Sequence, residues 1–413
     1  MNTKKNFNLN LESLRGYAAL FVSITHFVDT EASENLSSRL FDAVKPPGLF
    51  CVSIFFMLSG YVIGISTKKE LSSKSYIISY LKKRLLRLYP IYFISLIMTL
   101  IISYQLYTNE TIILSFLLIQ GMITPVIWQN SPSWSLHYEF LYYLLFVPIS
   151  YFKLNPLIIF LISITIGILN YYLTRYYYIP IISSYAFGFS FWVAGLAIAR
   201  YCIDKGEINY NLLMSNLFLI WSMALLNFND RYLSHVSLAV IKTNFEFKNV
   251  SGNFAQTILA FRHLAWLPYC FIFIANFTGI NFKFKKWIII ILQFIPLLTL
   301  FSLIRDLNNT TIYPLVGHVI LFIISIYFLI KAKFKIGESN NFIKFGTWFG
   351  SISYAFYIIH HPILFMIHAS PLMGKSNISY LLKFIIFFGV VTGLSYFLEK
   401  RLQPFVRNKF QGS

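Results

Sequence analysis

An all-α, polytopic bundle of membrane-spanning helices is the fold class this sequence predicts, and three observations carry it. Of 413 residues, 57% are hydrophobic and only 12% charged, where a soluble domain usually carries about 25% charged residues. Several apolar runs approach the roughly 20 residues that cross a bilayer; "IIILQFIPLLTLFSLI", "IYPLVGHVILFIISIYFLI" and "YLLKFIIFFGVVTGLSYFL" are the clearest. The net charge of +19 is spread in short Lys and Arg clusters between these runs, with no separate basic domain. Cytoplasmic loops of membrane proteins carry such clusters, so the charge does not point to nucleic acid.

Twelve spans are expected, at roughly 10–29, 47–66, 87–104, 132–152, 156–173, 180–200, 211–228, 256–277, 287–304, 311–330, 347–368 and 378–398. Ten remain if 156–173 and 211–228 do not cross. The apolar run 111–122 is too short to cross and reads as an interfacial or re-entrant helix. With the N-terminus inside and the spans alternating, 23 Lys and Arg residues fall in inside loops and 8 in outside loops. That bias predicts both termini on the cytoplasmic side. No cleavable signal peptide is expected, because "MNTKKNFNLN" is polar and no small-residue cleavage site follows. Cys51, Cys202 and Cys270 are scattered and give neither a metal spacing nor a disulfide framework. A single integral-membrane domain over 1–413 is expected, without an added soluble domain.

The first span, "LESLRGYAALFVSITHF", places Arg15 and His26 in an apolar helix. Eleven residues at about 100° each end roughly 20° past three full turns, so the two share a face about 16 Å apart along the axis. Ionisable groups inside a membrane are costly and usually face a cavity or a partner. The face therefore reads as the lining of a polar passage; the plainer alternative is a snorkelling arginine and a structural histidine. In the second span, Ser59 and Gly60 of "FFMLSGYVIG" form a small, close-packing position. The third span is preceded by "KKRLLRLYP", in which Arg84 and Arg87 share a face at i, i+3. Paired guanidinium groups suit phosphate, because each fork binds in a bidentate way; an ordinary positive-inside cluster is the alternative.

The fourth span opens with "SPSWSLHYEFLYY", where Glu139 needs a partner among aromatic neighbours. His26 is expected at a similar depth and His137 is close in sequence. A carboxylate that orients a histidine and stabilises its imidazolium makes a general base; a structural hydrogen bond between helices is the alternative. In the eleventh span, His360 and His361 precede Pro362, which is expected to kink the helix and free backbone carbonyls beside them.

These five stretches, in this order, resemble the membrane-bound acyltransferase family 3, typified by bacterial O-acetyltransferases of surface polysaccharides. The family's Arg, ten residues, His motif falls on Arg15 and His26. Its Arg-x-x-Arg motif falls on Arg84 and Arg87, and its Phe-Phe-x-x-Ser-Gly motif on Phe55, Phe56, Ser59 and Gly60. Its Trp-Ser-Leu-x-x-Glu motif falls on Trp134, Ser135, Leu136 and Glu139, and its Tyr-x-x-His-x-Pro motif on Tyr357, His360 and Pro362. His137 and His361 stand where small or aromatic residues are expected. The extracytoplasmic hydrolase-like domain of some members has no counterpart.

The resemblance implies a multi-pass enzyme of the bacterial cytoplasmic (inner) membrane. It would move an acetyl group from cytoplasmic acetyl-CoA to a hydroxyl of a lipid-linked or polymeric surface glycan (O-antigen, capsule or exopolysaccharide). Acetyl-CoA would be the donor substrate and membrane lipids the surroundings; no metal and no nucleic acid are implied. Arg15, Arg84 and Arg87 would then serve the donor. His26 with Glu139 would be catalytic, either as base or through an acetyl-histidine. Ser59, Trp134, His137 and His360 would support or bind the acceptor, with His360 as a candidate for the oxyanion. The alternatives are a transporter or flippase for a glycolipid, another short acyl-CoA, or a non-carbohydrate acceptor.

Overall fold

The computed structural model describes residues 3–32, 36–67, 70–177, 180–202, 206–225, 259, 261–305, 312–332, 340–369 and 376–411. The long expected outside loop near 229–255 lies outside them. The described residues hold sixteen α-helices and no strand; the one β-bridge is an isolated contact between Gln120 and Thr124. The first half comprises α1 (Thr3–Thr30), α2 (Leu36–Ala43), α3 (Gly48–Ser66), α4 (Lys74–Ser103), α5 (Asn109–Phe116), α6 (Ser133–Tyr151), α7 (Pro156–Tyr177) and α8 (Pro180–Tyr201). The second half comprises α9 (Tyr210–Leu225), α10 (Leu267–Thr278), α11 (Lys285–Arg305), α12 (Ile312–Lys331), α13 (Asn340–Gly350), α14 (Ser353–His368), α15 (Asn377–Phe397) and α16 (Gln403–Gln411).

Helix covers every one of the twelve expected stretches in whole or part. Among the described residues five helices are long and apolar enough to cross a membrane, or six if one bent pair is a single span. The others are shorter or carry charge, as α1 does. That bent pair, α13 and α14, turns by 67°. The bend falls between Gly350 and Ser353, upstream of Pro362, which lies inside α14. Gly350 is the cause: a side chain there would come within 1.9 Å of the Glu12 backbone oxygen, so α1 packs directly on the bend. A second close approach joins α3 and α8. A Cβ on Gly60 would lie 1.8 Å from the Trp192 oxygen, and one on Gly195 would lie 1.8 Å from the Met57 oxygen. Small residues let the two backbones touch, which is how helices gain packing energy where lipid removes the hydrophobic drive.

Four prolines inside the described helices, Pro90, Pro148, Pro296 and Pro362, each delete a hydrogen bond to the carbonyl four residues earlier. At Pro90, Pro296 and Pro362 a side chain from another element takes up the freed carbonyl. Pro90 frees Leu86, which accepts from Gln403 Nε2 at 2.7 Å. Pro296 frees Leu292, which accepts from the Tyr269 hydroxyl at 3.2 Å. Pro362 frees Ile358, which accepts from Ser95 Oγ at 2.8 Å. Non-local contacts thus supply what the sequence removes, and helices that are neighbours in space are tied together.

One buried ion pair closes the far end of α1. Glu31 accepts from Lys383 Nζ at 2.7 Å and contacts His368 Nδ1 at 2.8 Å. Glu31 and Lys383 are both buried. The cluster joins the end of α1 to α14 and α15.

Candidate active site

A cavity opens where α1, α3, α4, α6 and α14 meet. Its lining includes Arg15 from α1, Ser59 from α3, Arg84 and Arg87 from α4, Ser135, Glu139 and Tyr143 from α6, and Tyr354 and Tyr357 from α14. Each helix offers one face. Ser135, Glu139 and Tyr143 are spaced by four, and Arg84 and Arg87 by three, as the helical repeat requires. Residues more than three hundred positions apart are thereby brought to one wall.

The cavity is cationic. Three guanidinium groups face a single carboxylate. Arg15 donates to Glu12 at 2.9 Å on its own helix. Arg84 packs its guanidinium over the rings of Tyr80 and Tyr143, at 5.5 and 5.6 Å. Its Nε is buried with no hydrogen-bond partner. An unpartnered charged donor in a cationic cavity is the arrangement an anion completes. Arg87 is exposed at the mouth, beside the exposed Lys82 and Lys83.

Glu139 is held by the cavity and not by His26. Ser59 Oγ donates to Glu139 Oε1 at 2.9 Å, and the Tyr143 hydroxyl donates to the same oxygen. Trp192 Nε1 in turn donates to Ser59 Oγ at 3.3 Å. This corrects the expected His26–Glu139 pair. The reason is depth. The run 111–122, read as an interfacial or re-entrant helix, and the segment after it bury Gln120, Thr124 and Asn130 against the bundle while Leu117, Met122, Ile123 and Trp128 stay exposed. Helix α6 therefore starts inside the bundle at Ser133, and Glu139 comes to the level of Arg15.

His26 instead meets two imidazoles of α14. Its ring centroid lies 5.3 Å from that of His360 and 5.0 Å from that of His361. His360 Nδ1 lies 2.6 Å from the Tyr357 carbonyl oxygen. A carbonyl only accepts, so Nδ1 carries the proton and a neutral His360 presents Nε2 as an acceptor. That Nε2 is buried and unpartnered, as is His361 Nδ1. Tyr357 links the two regions: it lines the cavity, its hydroxyl bonds Ser135 at 2.8 Å, and its carbonyl fixes His360.

Of the other residues singled out in the sequence, Trp134 packs edge-on against Phe56 and Tyr138. His137 turns to the opposite face of α6, where the Tyr185 hydroxyl lies 2.9 Å from Nδ1. Neither lines the cavity. Tyr143 and Tyr354, which do, went unremarked in the sequence. Tyr143 had a signal, since it stands four residues after Glu139 in a helix. Among the described residues no group of three or more His, Cys, Asp or Glu could hold a metal ion.

A family model for an acyltransferase domain, the acyltransferase 3 type, matches residues 8–400. The chain belongs to the acyltransferase 3 family. Among curated proteins it is similar to acyltransferase MdmB of Streptomyces mycarofaciens, 28% identical over 150 residues. That stretch is 33% of this chain and covers 38% of the length of the relative. No solved structure matches. In this member of the family, then, the basic helix mouth, the carboxylate and the first-helix arginine share one cavity, and the first-helix histidine stands beyond it.

Proposed function

We propose that this acyltransferase 3 family protein is a transmembrane O-acyltransferase of the bacterial cytoplasmic membrane. It moves an acetyl group from cytoplasmic acetyl-CoA to a hydroxyl of an extracytoplasmic surface glycan. The observation that carries the reading is the cationic cavity with its unpartnered Arg84 Nε, joined through Tyr357 to the imidazoles around His26.

Arg84 and Arg87 bind donor phosphates at the mouth, and Arg15 continues the positive lining inward. The mouth carries Lys82 and Lys83 as well, which favours the cytoplasmic side. The narrow thioester arm of the donor extends along the α1 face toward His26, about 16 Å from Arg15. His26 takes the proton of the acceptor hydroxyl as its oxygen attacks the thioester carbonyl. The carbon–sulfur bond breaks, and the leaving thiolate recovers the proton from the imidazolium. His360, whose Nδ1 proton is committed to the Tyr357 carbonyl, serves as a hydrogen-bond acceptor for the incoming hydroxyl rather than as an oxyanion donor. Glu139 balances the guanidinium charge and fixes Ser59 and Tyr143 on the donor wall.

The test is mass spectrometry of surface glycan from cells with the gene, without it, and with His26→Ala. Loss of an acetyl increment in both altered strains is the expected result. Unchanged glycan in both removes the proposal. Purified protein that moves a glycolipid without consuming acetyl-CoA would establish a flippase instead.

A further inference from the structure

The turn at residues 128–130 is fastened to the histidine-bearing part of α14 by a chain of hydrogen bonds. Ser95 Oγ gives its only proton to the Ile358 carbonyl that Pro362 frees. It can then only accept from Asn130, whose Nδ2 lies 3.0 Å away. The network therefore sets the amide: Nδ2 faces Ser95 and Oδ1 faces away from it. Oδ1 is buried with no partner, and Asn130 is fully buried. The neighbouring Gln129 backbone sits beside His361. His360 Nε2 and His361 Nδ1 are also buried and unpartnered.

Leaving a buried polar atom unpaired costs about 1–3 kcal/mol, and three of them in one neighbourhood call for a ligand. Their chemistry is specific. His360 Nε2 and Asn130 Oδ1 are both acceptors by the bonds their other atoms make. No carboxylate and no cationic side chain contacts the imidazoles among the described residues. Such a set suits the hydroxyl protons of a neutral polyol and offers nothing to an anion, the reverse of the arginine cavity.

We propose that Asn130 and His361, beside His26 and His360, form an acceptor subsite for a neutral, polyhydroxylated molecule. It reads a hydroxyl next to the one that is acylated. The proposal rests on the acyl-transfer reading above and adds two specificity-determining residues to it. Asn130 belongs to none of the motifs singled out in the sequence, and His361 stands at a place where they predict another residue type.

The experiment uses the full chain in detergent or liposomes, with acetyl-CoA as donor and octyl glucoside or 1-octanol as acceptor. Variants are Asn130→Leu, His361→Phe and His361→Asn, the last keeping a polar atom near the place of Nδ1. The expected result is transfer to the glucoside well above that to the alcohol. The acceptor KM should rise about tenfold in Asn130→Leu and His361→Phe, as loss of one hydrogen bond predicts. Donor affinity should hold in all variants, thermal stability should hold in His361→Phe and fall in Asn130→Leu only by the lost bond to Ser95, and His361→Asn should recover part of the loss. Equal use of both acceptors by the parent protein, or an acceptor KM unchanged in the folded variants, overturns the subsite and leaves the transfer reading standing. So does a parallel fall of donor affinity, acceptor affinity and melting temperature, which marks the residues as structural. No transfer of acetyl to either acceptor by the parent protein overturns both readings together.

Discussion

The two polar regions of this molecule use opposite means. The cavity gathers fixed positive charge: Arg15, Arg84 and Arg87 line it with Glu139, and Glu12 pairs with Arg15 from outside the lining. The outer cluster gathers neutral groups, His26, His360, His361 and Asn130, whose free atoms are mostly hydrogen-bond acceptors. Charge in a low-dielectric interior is expensive unless paired, so the cavity stays open at an exposed, basic mouth and uses aromatic faces and one carboxylate to hold its guanidinium groups. The outer cluster avoids that cost by carrying no fixed charge. The two polar regions are thereby separated along one helix, α1, with Tyr357 as the link.

That division can be broken in several ways. The largest effect is expected at His26. His26→Ala should lower transfer about 10²- to 10⁴-fold, the usual worth of a general base, with acetyl-CoA affinity unchanged in a binding assay. A matching loss of donor affinity would merge the two regions into one. Next is the buried pair at the end of α1. Lys383→Met should destabilise the protein, by less than the about 3–5 kcal/mol of a fully orphaned buried charge, because Glu31 then keeps only the half-exposed His368 as a partner. Thermal unfolding in detergent measures it, and an unaltered melting temperature would show that Glu31 is satisfied elsewhere.

The arginine pair follows. Arg84→Ala and Arg87→Ala should each raise the donor KM by about 10- to 100-fold, from hydrogen bonds to charge worth about 1.5–3 kcal/mol each, and leave the acceptor KM alone. Glu139→Gln sharpens the same comparison. With Glu139 on the donor wall, the loss should be about tenfold and fall on the donor KM. A collapse of kcat by several orders, as when a histidine loses its orienting carboxylate, would return Glu139 to His26. The smallest effect is expected from Gln403→Leu, which leaves the Leu86 carbonyl without its donor. It should cost about 1 kcal/mol in a thermal unfolding measurement.

Much of the site could be read from residue spacing. Arg15, Ser59, Arg84, Arg87 and Glu139 were all chosen from local patterns, and all line one cavity. The eleven-residue interval from Arg15 to His26 survives because α1 is continuous. What could not be read was depth. The run 111–122 left interfacial and re-entrant readings open, and only the structure shows Gln120, with Thr124 and Asn130 of the segment after it, buried against the bundle. Glu139 consequently belongs to Arg15's level and not to His26's. Asn130 lies on that same segment, so its place beside the histidines was equally hidden. The bend before α14 was hidden for a related reason. Proline is visible in a sequence, whereas the pressure of α1 on Gly350 is not.

Composition and periodicity alone were enough to specify a helical membrane protein and the face each polar residue would occupy. Both depend only on the helical repeat and on the cost of taking charge out of water. Which face meets which was settled by packing. The glycine contacts set how closely helices approach, and the carbonyls freed by Pro90, Pro296 and Pro362 found donors hundreds or tens of residues away. Those pairings are non-local, and no pattern within a single helix encodes them. The tertiary structure therefore decided that the carboxylate would serve the arginines and that His26 would stand among imidazoles.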